Sequence, residues 1–162
     1  MLQSQPTWRI YIFLWAMLAI QTTWLARVEI FGAHLDLMLL TVVSVALLLG
    51  AQNGAVFGLV AGVLTGYIAG ASLGSFALSR LIIGSSFGFF DRRFSSDNPF
   101  APPICAAAAT FLASVIFLAL SPDTFSSHWL SRVLTECGLN ALFIWPVYLC
   151  VNKLVPPARA FT

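Results

Sequence analysis

The chain has 162 residues, of which 59% are hydrophobic and only 9% charged, with a formal charge of +2 and a mean hydropathy of +0.91. Soluble domains carry about 25% charged residues, so this composition excludes an ordinary water-soluble fold and predicts an integral membrane protein. The net charge is too small for a nucleic-acid footprint and no basic run exceeds Arg92-Arg93, which excludes nucleic acid as a partner.

Apolar runs and their punctuation predict six membrane spans, at about 8–26, 35–49, 54–70, 73–90, 101–120 and 129–154. They fill 1–162 as a single polytopic, all-α domain and leave no room for a folded soluble one. In span one, Arg9 precedes the apolar run Ile10 to Leu25, a pattern shared with signal peptides; five further spans favour a retained helix. Span two is short, roughly 23 Å at 1.5 Å per residue against a hydrocarbon core of about 30 Å, so a cavity or local thinning is expected there. Asp36 at its start has two readings, a helix N-cap satisfying free amides or a charge that meets a partner, and the cap is the simpler.

Seven glycines follow at intervals of four: Gly50, Gly54, Gly58, Gly62, Gly66, Gly70 and Gly74. A mid-helix glycine costs about 1 kcal/mol relative to alanine in water, whereas in lipid a small-xxx-small stripe lets helix backbones approach closely. The repeat therefore predicts helix packing. Four residues advance about 400° at 3.6 per turn, so the stripe drifts around its helix and is expected to meet more than one neighbour. The turns Gly50-Ala51-Gln52-Asn53 and Ala71-Ser72 are tight enough to make spans two, three and four successive antiparallel neighbours.

Span four contains Arg80, flanked by Leu78, Ser79, Leu81, Ile82 and Ile83. An arginine near mid-span costs at least about 2.5 kcal/mol on insertion scales and should face protein, a water-filled cavity or an acid. Glu136 in span six is the expected partner, because both residues lie seven positions past the start of spans that run in the same direction. The alternative is that each snorkels separately to the interface. Asn140, one turn after Glu136, extends that face toward the membrane centre, so Arg80, Glu136 and Asn140 form the expected buried polar centre. Pro102 and Pro103 suit the first turn of span five, Pro122 follows it, and Trp145-Pro146 should kink span six. Pro156 and Pro157 close that span.

No catalytic, cofactor or metal set emerges. Ser79, Ser85 and Ser86 lack a histidine or lysine base in helical register, the carboxylates are unpaired, and the glycine repeat is not a phosphate loop. His34 and His128 sit at span ends without a ligand pattern. Cys105, Cys137 and Cys150 have no CxxC spacing and are expected to pack as small apolar residues. If both termini are cytoplasmic, the inner segments hold Arg9, Arg92, Arg93, Lys153 and Arg159 against Arg27 and Arg132 outside, the asymmetry of the positive-inside rule. Trp8, Trp24 and Trp129 lie at span ends, as interfacial tryptophans do.

The stretch Leu35-Asp36-Leu37-Met38-Leu39-Leu40, the glycine repeat with Gly58-Leu59 and Gly62-Val63-Leu64, then Leu73-Gly74 and Ala77-Leu78, resembles MreD, a family of small rod-shape-determining membrane proteins of bacteria. Asn140-Ala141-Leu142-Phe143-Ile144-Trp145-Pro146 is similar to an Asn…Trp-Pro segment in the last span of some members, so Asp36, Trp145 and Pro146 are family-like positions. Two positions depart from the family pattern: Gly66 stands where an aspartate is common, and Leu35 where a proline often precedes the aspartate.

The resemblance implies a non-enzymatic scaffold of the cell-wall elongation machinery in the bacterial inner membrane, among membrane lipid. Its implied partners are a single-span MreC-like protein and, with it, RodA, a class B penicillin-binding transpeptidase and MreB. It also implies a fold similar to the six-helix S-components of energy-coupling-factor transporters. That similarity supplies an alternative function, binding a vitamin-like ligand. A glycine-zipper channel or homo-oligomer is a third.

Overall fold

The structure, a computed structural model, describes residues 8–23, 33–70, 73–89, 98–120, 122 and 127–154. Helices make up 89% of them and none forms a strand, so the fold is all-α. The six helices are α1 (Trp8–Thr23), α2 (Leu37–Leu49), α3 (Ala51–Ala69), α4 (Leu73–Phe87), α5 (Ala101–Leu120) and α6 (Trp129–Leu154). Three of them, α3, α5 and α6, are long and apolar enough to cross a membrane, while α2 and α4 are shorter apolar helices. The predicted limits of spans five and six agree with α5 and α6. Those of spans two and four overrun the helices by a few residues, and the last positions of span one, 24–26, lie outside the described residues; the predicted turn at 51–53 is instead the first turn of α3.

Helix α2 is the hub. Every residue from Leu37 to Leu48 is buried, and all five other helices pack against it. A helix hidden on every side needs an apolar surface all round, and its sequence, LMLLTVVSVALLL, has only two polar side chains. Both are consumed locally: the Thr41 hydroxyl donates to the Leu37 carbonyl and that of Ser44 to the Leu40 carbonyl, each at 2.8 Å. The surrounding helices contribute narrower stripes. From α1 come Ile10, Leu14 and Leu18, four residues apart; from α6 come Val133, Asn140, Ile144, Val147, Tyr148 and Val151. Helix α6 runs on through Pro146.

A single residue, Gly50, joins α2 to α3, with φ +86° and its N–H donating to the Ala46 carbonyl at 2.9 Å. Only glycine adopts that backbone without strain, and it reverses the chain at once. Helix α3 then runs antiparallel to α4 along a seam in which Gly54 lies against Gly84, Gly58 against the Arg80 backbone, Gly62 against Phe76 and Ala77, and Gly66 against Leu73. Past the end of α4, Gly88 lies against Ala51. A Cβ on any of these six glycines would come within 3.0 Å of a neighbouring atom, closer than real Cβ atoms come. Both helices use a four-residue ridge, because Phe76, Arg80, Gly84 and Gly88 recur at the interval of the α3 glycines. Ridges of that period interlock along their whole length. The stripe thus meets chiefly one neighbour rather than winding between several, although Gly54 also touches Ala46 of α2.

Three of the seven repeat glycines stand outside the seam. Gly50 makes the turn. Gly70, with φ +60°, is the left-handed C-cap of α3, and a Cβ on either Gly70 or Gly74 would meet nothing within 4 Å. The packing expectation therefore fails for Gly70 and Gly74, while Gly84 and Gly88, outside the repeat, complete the seam. Of the cysteines, Cys105 is buried, Cys137 is half-buried with its thiol donating to the Ala107 carbonyl at 3.3 Å, and Cys150 is exposed.

Candidate functional site

A buried helix start leaves amide donors that water cannot reach, and α2 begins inside the bundle. Asp36 is its N-cap: Oδ1 accepts from Leu39 N at 2.9 Å, and the Asp36 carbonyl accepts from Leu40 N at 3.1 Å. Met38 N donates to Gln21 Oε1 of α1 at 3.0 Å. Asp36 N donates to Asn140 Oδ1 of α6 at 3.1 Å, and Asn140 Nδ2 donates to Thr110 Oγ1 of α5 at 2.9 Å. The Thr110 hydroxyl in turn donates to the Ala106 carbonyl at 2.8 Å. The first turn of α2 is therefore held by side chains from α1 and α6, with α5 behind them.

The second oxygen of the cap, Asp36 Oδ2, takes the Arg80 guanidinium of α4 through Nη2. Asp36 does both jobs that appear as alternatives in the sequence, cap and charge partner, because a carboxylate has two acceptor oxygens. The Arg80 side chain is 4% exposed and its guanidinium carbon lies 5.2 Å from the centre of the Phe76 ring. Phe76 in turn packs on Phe117 of α5, centroids 4.8 Å apart.

The expected Arg80–Glu136 pair does not form. Glu136 accepts from Arg132 Nε at 3.0 Å, one turn earlier on its own helix, a partner that requires no long-range placement. Arg80 reaches Asp36 because of where the chain reverses. Gly50 and Gly88 lie at the same end, so counting back along the parallel helices α2 and α4 puts the Asp36 backbone about six residues, roughly 9 Å, beyond that of Arg80. Helical side chains lean toward their own N-terminus, and the long arginine spans that gap. Asn140 is buried in a polar centre, but its partners are Asp36 N and Thr110 and not the expected Arg80 and Glu136. Counting from span starts gives Arg80 and Glu136 a common depth, and they do line one cavity, but it does not register Asp36 as the nearer acid.

That cavity, about 380 Å³, lies at the end of the bundle where α2 begins. All six helical neighbourhoods contribute, among them Gln21, Asp36, Arg80, Phe117, Arg132 and Glu136. Of the two expectations for the short second span, a cavity or local thinning, a cavity is present; its lining by two separate ion pairs is a finding of the structure. Among the described residues, one buried side-chain nitrogen or oxygen has no hydrogen-bond partner, Arg80 Nε. An unsatisfied buried donor costs about 1–3 kcal/mol. Trp129 also lines the cavity, whereas Trp8 is exposed at the far end of α1. Trp24 lies outside the described residues. Trp145 stands edge-on to Tyr148, centroids 6.3 Å apart, away from this site.

Among the described residues no cluster of three or more His, Cys, Asp or Glu side chains could hold a metal ion. Compared with family models, with curated proteins and with solved structures, the chain matches none.

Proposed function

We propose that this is a six-span protein of the bacterial cytoplasmic membrane, with both termini cytoplasmic. In this reading it serves as a non-enzymatic scaffold of lateral cell-wall synthesis, bound to a single-span MreC-like partner. RodA, a class B penicillin-binding transpeptidase and MreB complete the assembly that the MreD resemblance implies. The observation that carries the reading is the use made of the residues behind that resemblance. Asp36, Asn140 and Gly54 to Gly66 hold helices to one another, so the polar centre is spent on internal bonds that fix a rigid surface. The outward faces support a lipid surround: Ile12 and Trp15 of α1, Val63 of α3, Ile104 of α5 and Leu142 of α6 are exposed on an already packed bundle.

Affinity purification of the full chain from its bacterial membrane in mild detergent tests the scaffold role. A single-span membrane protein recovered in stoichiometric amount is the expected result. Recovery with the ATP-hydrolysing subunits of a transporter, or turnover of a lipid-linked substrate by the isolated chain, would overturn it. For topology, a cysteine at Ser95, outside the described residues, should resist an impermeant reagent applied to intact cells; labelling there would reverse the orientation.

A further inference from the structure

We propose that the end of the bundle where α2 begins binds a zwitterionic amphiphile of the phosphatidylethanolamine type. Its phosphate and ammonium meet Arg132 and Glu136 in the cavity described above, and its acyl chain lies in a second cavity beside it. The proposal rests on the membrane reading of the chain and not on the scaffold role.

Of the two ion pairs on the cavity wall, one is closed and one is open. Asp36 uses both carboxylate oxygens, on Leu39 N and on Arg80, and the Arg80 side chain is 4% exposed. The side chains of Arg132 and Glu136 are 53% and 17% exposed, and among the described residues each hydrogen-bonds only the other, through Nε and Oε1. That contact leaves the terminal guanidinium nitrogens of Arg132 as donors and Oε2 of Glu136 as an acceptor. A phosphate accepts paired N–H bonds from an arginine, and an ammonium donates to a carboxylate.

Charge balance selects a guest that carries both groups. Among the described residues the wall holds two arginines, Arg80 and Arg132, and two carboxylates, Asp36 and Glu136, so it has no net charge to draw in an anion or a cation alone. An anion at Arg132 would also meet Glu136, and a cation at Glu136 would also meet Arg132. A head with both charges sets each against its opposite and leaves the pair together.

The second cavity, about 370 Å³, shares Gln21, His34, Leu35 and Thr65 with the first. Its other described walls are Leu18 and Thr22 of α1 and Ile68 and Ala69 of α3, with no Asp, Glu, Lys or Arg among them. Its hydroxyls are turned back on their own helices: Thr22 donates to the Leu18 carbonyl at 3.0 Å and Thr65 to that of Ala61 at 2.8 Å. A charged compartment thus adjoins an uncharged one, the division that a polar head and an apolar chain require. Ile68 and Ala69 are exposed, so the second compartment borders the surface that a bilayer would cover. Depth agrees as well. Trp129 lines the first cavity, tryptophans concentrate at headgroup level, and Arg132 lies three residues, roughly 4.5 Å, further along α6.

The test uses the full chain in mild detergent, titrated with single lipids and read by native mass spectrometry, which counts bound molecules. Dioleoyl phosphatidylethanolamine should bind as one saturable molecule, about tenfold more tightly than dioleoyl phosphatidylglycerol, which lacks the ammonium, or dioleoylglycerol, which lacks both charges. Free O-phosphoethanolamine, without a chain for the second cavity, should compete only at much higher concentration. Arg132→Ala should bring phosphatidylethanolamine down to the level of dioleoylglycerol. Glu136→Gln should let phosphatidylglycerol bind as well as phosphatidylethanolamine, because Arg132 then faces the guest without a carboxylate beside it. Ala69→Trp, which narrows the second cavity, should weaken the lipid and leave phosphoethanolamine unchanged. Equal affinity of the wild-type chain for the three lipids would overturn the proposal, and that ranking requires no variant to fold. Phosphoethanolamine binding as tightly as the lipid would also sink it, since the second cavity would then contribute nothing. A chain that stays in solution without lipid or detergent would remove the membrane reading and the proposal together, whereas a failed headgroup ranking leaves the membrane reading intact.

Discussion

Along the α3–α4 seam, glycine removes side chains so that two backbones touch; at the start of α2, long side chains from α1, α4 and α6 reach inward to meet one helix terminus. The seam is closely packed, local in sequence and intolerant of added volume. The polar cluster joins residues 104 and 44 positions apart, and the loss of one partner would strand a charge or a buried polar group. The two regions share Arg80, whose carbonyl lies against Gly58 while its guanidinium meets Asp36. Close backbone packing on one side of α4 thus sets the position from which the arginine reaches the cap.

The largest effect should come from filling the seam. Gly62→Leu places a Cβ 2.5 Å from the Phe76 carbonyl oxygen and 2.6 Å from Ala77 Cα, backbone atoms that cannot step aside. Destabilisation above about 3 kcal/mol is expected, beyond the usual overpacking range, with little folded protein on size-exclusion chromatography. Gly74→Leu, from the same repeat, should behave as the parent, because a Cβ there meets open space. Equal damage from both would mean that the repeat acts through something other than this seam.

Breaking the ion pair comes next. Arg80→Met strands the Asp36 charge and should destabilise the fold by about 3–5 kcal/mol in equilibrium unfolding. Asp36→Asn removes the charge yet keeps a good N-cap, so the double variant should recover part of the loss. Glu136→Leu should give no such rescue, since Glu136 is bonded to Arg132. Rescue by Glu136 rather than by Asp36 would reinstate the pairing that depth alone suggests.

A smaller loss is expected for Asn140→Leu, which leaves the Asp36 amide and the Thr110 hydroxyl oxygen without their partner, about 1–3 kcal/mol by thermal or chemical unfolding. The smallest belongs to Arg132→Ala. Its side chain is 53% exposed and its bond to Glu136 is an i,i+4 pair, for which about 0.3–0.5 kcal/mol is usual, close to the limit of detection. A larger effect at Arg132 would show that this pair, and not the Asp36–Arg80 pair, anchors the cavity end.

Much of the architecture is legible in the residues. Helix positions follow from apolar runs bounded by Pro102, Gly50 and Gly70, and the limits of α5 and α6 agree with the sequence to the residue. The close α3–α4 contact is visible in the spacing of Gly54 to Gly66. What the spacing hides is the other half of the seam: Gly84 and Gly88 are an isolated pair in sequence and become significant only against the register of α3. Asn140 is identifiable as a buried polar residue. Its function as a support for the amide of Asp36 is not, because nothing local to α6 indicates which helix terminus it will face.

Sequence by itself determined the medium-sized facts: an all-helical chain, helices too apolar for an ordinary soluble surface, a reversal at Gly50 and a small-residue ridge on α3. These depend on backbone propensity and on transfer of side chains from water, both of which act over a few residues. Tertiary structure alone decided that α2 is enclosed on all sides, that Arg80 answers Asp36 instead of Glu136, and that one nitrogen of Arg80 is buried without a partner. Those outcomes turn on offsets of a few ångströms between helices that are not neighbours in the chain, and a charge chooses the acid it can reach in three dimensions.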